Sequence, residues 1–122
     1  MPLVTITLPE GKSPQFIQSL STIVHEAMVE TINCPPDALY HIINQVKREQ
    51  LTYMPEYKGM KRSENVIILQ ITLKEGRTPE QKKQMYEKIS SGLNSNLGIR
   101  FEDIIIILTD SAAENWYFGR NG

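Results

Sequence analysis

This chain of 122 residues has one cysteine, Cys34, so no internal disulfide framework is available to it. That usage fits a reducing compartment. A lone cysteine before Pro35-Pro36 reads as inert rather than as a nucleophile. There is no excess of either charge: 13 basic residues face 14 acidic ones. No basic patch carries interleaved aromatics, which argues against a nucleic-acid partner. No apolar run approaches the length of a membrane span, and the first residues lack the charged and apolar regions of a secretion signal. The expectation is a soluble cytoplasmic protein with no membrane partner. The length suits a single domain covering 1–122.

What the chain does have is a repeat. Residues 6–14, Ile-Thr-Leu-Pro-Glu-Gly-Lys-Ser-Pro, align with residues 71–79, Ile-Thr-Leu-Lys-Glu-Gly-Arg-Thr-Pro, at an offset of 65. Six of the nine pairs are identical, and Lys12/Arg77 and Ser13/Thr78 keep their chemistry. Each copy reads as strand, helix, strand, over about 2–46 and 66–109. Ser13 and Thr78 are N-cap candidates, because a hydroxyl can accept from an orphan N–H of the first turn. Pro14 and Pro79 follow at the first helical position, where the missing N–H costs nothing. Phe16, Ile17, Leu20, Ile23, Val24, Ala27 and Met28 form an apolar stripe at helical spacing, and Tyr86, Ile89, Leu93 and Leu97 form its partner. Gly98 and, in the first copy, Asn33 suit left-handed C-caps.

Strands are expected at 2–8, 39–46, 66–73 and 104–108. A crossover helix makes the two strands of each unit parallel. A pseudo-two-fold between the units would set the first strand antiparallel to the third, with Pro2 beside residues 74–77. The fold class is therefore α+β: a four-stranded sheet with two helices on one face. Residues 66–69 and 104–108 are apolar on both strand faces, so the open face calls for self-association. Residues 47–65 form an excursion between the units. It can be a loop over a site, an oligomer contact or a solvated segment.

The chemistry points to the chain's beginning. Methionine before proline is commonly removed, which would leave Pro2 with a free secondary amine on a stiff ring. Burial and neighbouring cations disfavour a charged amine, whose ordinary pKa is about 7.7–8.0, so a modest downward shift yields a general base near neutrality. The repeat places Ile67 where Pro2 stands, so the second unit offers no such amine. His25 and His41 are given no catalytic role. Tyr40, at the start of the second strand beside Asp37, is a pocket candidate.

The Pro-first strand, the duplicated Glu-Gly-(Lys/Arg), the Glu-Gly-Arg-Thr-Pro-Glu-Gln-Lys stretch at 75–82 and the terminal Trp116-Tyr117-Phe118-Gly119-Arg120 resemble the tautomerase superfamily. The likeness is to its malonate semialdehyde decarboxylase branch in particular, along nearly the whole chain. The resemblance implies a duplicated β-α-β tautomerase-type fold, a homotrimer with three sites, no cofactor and no metal. It implies that Pro2 is the catalytic proline and that Arg77 binds a substrate carboxylate. A second arginine of the branch falls near Lys74, which keeps the charge and loses the planar fork. Trp116 and Phe118 match aromatics that wall the pocket. An aspartate of the decarboxylase members aligns with Ala38, and Asp37 is its neighbour. The implied activity is tautomerisation of a small keto or enol carboxylate with Pro2 as base and acid. The alternatives are a decarboxylase or hydratase-type lyase, or a non-catalytic binding protein on the same fold.

Overall fold

The computed structural model describes residues 2–120. Met1, whose removal the Pro2 reading requires, lies outside the described residues. Strand β1 (Leu3–Pro9) leads to helix α1 (Pro14–Ile32) and strand β2 (His41–Val46). A short hairpin, β3 (Glu56–Tyr57) and β4 (Met60–Lys61), interrupts the chain before β5 (Ile67–Lys74), helix α2 (Pro79–Leu97) and β6 (Ile104–Ser111).

Local chemistry sets the helix ends. The Ser13 and Thr78 hydroxyls accept from the Phe16 and Gln81 amides, each at 3.1 Å. Gln81 also accepts from the Thr78 amide, which completes a capping box. Both helices stop on left-handed residues exactly one repeat apart: Asn33 at φ 57° and Gly98 at φ 67°.

The four long strands form one sheet in the order β2-β1-β5-β6. β1 runs parallel to β2 and β5 parallel to β6, while β1 and β5 are antiparallel. In that central pair Thr5 faces Gln70, its own counterpart 65 residues on. The pseudo-two-fold therefore passes through this pair. The arrangement confirms the expected sheet of four strands and two helices. The strand boundaries shift: β1 and β5 each run one residue later than expected at both ends, β2 starts at His41 rather than 39, because Leu39 and Tyr40 lie outside the ladder, and β6 runs on to Ser111.

The core fills the space between sheet and helices. Val4, Ile6, Leu69 and Ile71 from the central strands meet Leu20, Val24, Met28, Met85, Ile89 and Leu93 from the helices, all buried. Each such side chain contributes about 1.5–3 kcal/mol on burial. Gly92 lets the helices approach closely: a Cβ there would stand 2.8 Å from Ile23 Cγ2. On the opposite sheet face Ile42 is 50% and Ile107 56% exposed.

The excursion is tied down at its far end. Ser63 donates to the Asp103 carboxylate from its amide at 2.7 Å and its hydroxyl at 2.5 Å. Arg62 donates to the Glu102 carbonyl at 2.7 Å. Residues 102 and 103 precede β6, so these anchors lie at the end of the sheet away from Pro2.

Candidate active site

Antiparallel pairing decides which residues meet. β1 and β2 begin at the sheet end where β5 and β6 finish. The pairing of Leu3 with Thr72 continues one step to set Pro2 opposite Leu73, next to Lys74. Pro2 is buried. The Val4 amide donates to the Tyr40 carbonyl at 2.9 Å, which fixes the chain entering β2 against the start of β1.

Arg77 lies in the turn after β5, half-buried. Its Nε donates to the Ile32 carbonyl at 3.1 Å and its Nη1 to the Lys74 carbonyl at 3.2 Å. The Ile32 carbonyl is one of the orphan acceptors at the end of α1. These two bonds orient the guanidinium and leave its other N–H donors for a ligand. Among the described residues Arg77 forms no ion pair.

The tail closes this end. The Glu75 amide donates to the Ser111 carbonyl at 2.9 Å, so the chain leaves β6 beside the Arg77 turn. Trp116 stacks on Phe118 with centroids 5.4 Å apart, and Phe118 lies 5.9 Å from Tyr40. Lys74 Nζ stands 5.9 Å from the Phe118 ring centroid, within cation–π range. Tyr40, Lys74, Trp116 and Phe118 thus form one wall from three separate segments. The Trp116 indole Nε1 is buried with no hydrogen-bond partner among the described residues.

Positions 37 and 38 divide. Ala38 is 2% exposed and faces inward, its carbonyl 3.6 Å from Cys34 Sγ. Asp37 sits in the turn before it and is exposed. The structure therefore brings Pro2, Lys74, Arg77, Tyr40, Trp116 and Phe118 to one end, with Asp37 on its rim pointing to solvent.

Two residues assigned no catalytic role from the sequence adjoin the site. Cys34 is buried close enough to Arg77 to feel its charge; burial pushes its thiol pKa up and the arginine opposes this. His25 donates from Nε2 to the Pro36 carbonyl at 2.8 Å, strapping the 35–38 turn to α1. His41 faces the helix layer, sharing a 2.7 Å hydrogen bond with the Ser21 hydroxyl. Burial, and then the charge of His25, push its pKa down to about 4.

Duplicated strand-helix-strand units around a pseudo-two-fold form the fold of the tautomerase class, and here a proline-led strand and an anchored arginine lie at one end of it. The chain belongs to the tautomerase family: one tautomerase enzyme model matches residues 38–119 and a second matches residues 2–61. It is 40% identical over 119 residues to the probable tautomerase YusQ of Bacillus subtilis (strain 168), covering 98% of this chain and 94% of that protein. The probable tautomerase YrdN of the same organism is 27% identical, covering 98% and 92%. Among solved structures, a malonate semialdehyde decarboxylase superposes with TM-score 0.90 at 28% identity, covering 98% of this chain and 92% of that one. A second such decarboxylase, inhibited by 3-bromopropiolate, has TM-score 0.90 at 26% identity, covering 98% and 91%. A fused 4-OT asymmetric trimer shares the fold, with TM-score 0.81 at 18% identity over 96% and 92% of the two chains.

Proposed function

We propose that the chain is a cofactor-independent enzyme that tautomerises a small keto or enol carboxylate, with the Pro2 amine as general base and acid. The observation that carries this reading is the sheet register, which sets Pro2 beside Lys74 at the end where Arg77 is anchored. Arg77 holds the substrate carboxylate, and Lys74 adds positive charge. The Tyr40, Trp116 and Phe118 rings take the apolar body. With Met1 removed, the neutral amine accepts the enol hydroxyl proton and returns a proton to the adjacent carbon. The enol becomes a ketone with no net gain or loss of atoms, so no co-reactant is required.

The test follows ketonisation of phenylenolpyruvate by the wild type, Pro2→Ala and a form with extra residues before Pro2. Turnover should collapse in the extended form and fall sharply in Pro2→Ala. Mass spectrometry of the protein treated with 3-bromopropiolate should place any adduct on Pro2. Equal turnover in all three forms would refute the role of the amine. Absence of turnover with any small enol acid would favour a binding protein on this fold.

A lyase reading draws support from the decarboxylase likeness. Ala38 weighs against it, because a buried methyl group sits where the branch's aspartate aligns. Wild-type kcat/KM should therefore be higher for phenylenolpyruvate than for malonate semialdehyde, with Ala38→Asp narrowing the gap. Strong wild-type decarboxylation that is lost in Asp37→Ala would instead give that task to Asp37.

A further inference from the structure

The repeat that forms the sheet also forms both of its ends. An offset of 65 carries Pro2 onto Ile67, Lys74 onto Pro9, Arg77 onto Lys12, Cys34 onto Ile99 and Ala38 onto Asp103. All five counterparts line a single cavity of about 240 Å³ at the end of the sheet opposite Pro2. Ser63 and Asn65, from the excursion between the units, also line it.

The charges in this cavity differ from one another in availability. Asp103 is buried and occupied by both Ser63 donors, with Arg100 Nη1 3.7 Å away. Arg100 is further engaged by Glu102 at 3.8 Å and by the Lys61 carbonyl at 3.1 Å. Lys12 is different. It is half-buried, its ammonium stands 5.1 Å over the Phe16 ring, and it forms no ion pair among the described residues. The remaining walls, Leu8, Phe16, Leu97 and Ile99, are apolar. At the position equivalent to Pro2, Ile67 contributes an ordinary peptide nitrogen and no amine.

We infer that this cavity is a second binding site for a small monocarboxylate, which it holds without turnover. Lys12 receives the carboxylate as Arg77's counterpart, and the Phe16, Leu97 and Ile99 walls take a short apolar body. Its volume lies below the roughly 300–1,000 Å³ of drug-sized pockets, so it selects small acids. This inference does not depend on activity at Pro2.

The experiment titrates the isotope-labelled full chain with 3-phenylpropanoate, a saturated acid without a reactive carbonyl, and follows amide resonances by NMR. The expected result is saturable shifts at Ile67, Gly98 and Ile99. Lys12→Ala should weaken this binding at least about tenfold, as loss of a charge-assisted contact does. Phenylenolpyruvate turnover, if present, should stay at the wild-type value. Ile99→Trp fills the cavity without touching the charge and should abolish the same shifts, so the inference does not rest on one variant folding. Shifts confined to the Pro2 end, no shifts at all, or undiminished affinity in both variants would each overturn it. Absence of turnover with retained shifts would overturn only the Pro2 reading.

Discussion

In the proposed reaction Arg77 has what a single side chain needs to act as a binding group. Two carbonyls hold its guanidinium, one from the end of α1 and one from the end of β5. The charge is thus pre-oriented, and less side-chain freedom is lost when a carboxylate arrives. Arg77→Ala should lower kcat/KM by about 1.5–3 kcal/mol, roughly ten- to a hundredfold, in steady-state assays. Arg77→Lys should recover only part, because lysine lacks the fork that bonds a carboxylate through two parallel donors. Unaltered kinetics in Arg77→Ala would make the residue purely structural. His41 illustrates a different consequence of burial. Its folded pKa of about 4 lies below the ordinary 6.5, so the unfolded chain binds the proton more tightly. Its neutral form suits the fold above the unfolded value, and that stability is lost as pH falls from about 6.5 towards 4. Thermal unfolding of the wild type should show this drop, and His41→Gln should flatten it. Equal pH slopes in the two proteins would remove His41 from the acid response.

At the scale of elements, the helix interface is set by a glycine. Adding a methyl at Gly92 raises helix propensity by about 1 kcal/mol but forces Ile23 away, an overpacking cost of typically about 1–3 kcal/mol. Gly92→Ala should therefore lose roughly 1 kcal/mol in denaturant unfolding, and that loss should shrink when the same change is made in an Ile23→Ala background. A stabilised Gly92→Ala would mean that the helices separate freely. The same local chemistry explains what the sequence made readable. Both caps, both helix stops and the central strand pairing follow from short-range signals doubled by the repeat. The hairpin did not stand out, because its strands have two residues each. Its signal was Lys58-Gly59, where both residues take positive φ, 49° and 82°, as a two-residue hairpin turn requires. The candidate site was legible in part. Pro2, Lys74 and Arg77 follow from strand order, whereas the stacking of Trp116 on Phe118 and of Phe118 near Tyr40 occurs in irregular chain. No periodicity reports on such segments. The outward turn of Asp37 was hidden for the same reason.

At the scale of the whole molecule, one sheet face has no layer over it among the described residues. Ile42 and Ile107 stand exposed there. The homotrimer is a proposal for this chain: three chains of 14.0 kDa should give about 42 kDa by light scattering. Ile107→Lys should reduce that mass by placing a charge on the face. A wild-type mass of about 14 kDa at micromolar concentration would refute the assembly. No helix among the described residues is long and apolar enough to cross a membrane. The pseudo-two-fold through Thr5 and Gln70 has one more consequence, for circular permutation. The tail aromatics pack at the end of the sheet where β1 begins, so a linker that joins the segments around Phe118 and Pro2 stays at that end. New ends opened between Asn65 and Val66 would then start the second unit where the first now starts. With Ile67→Pro and a start at that residue, the secondary amine would move across the sheet to Lys12. In the proposed reaction the pseudo-two-fold offers two related ends, and the order of the two units gives the amine to one of them.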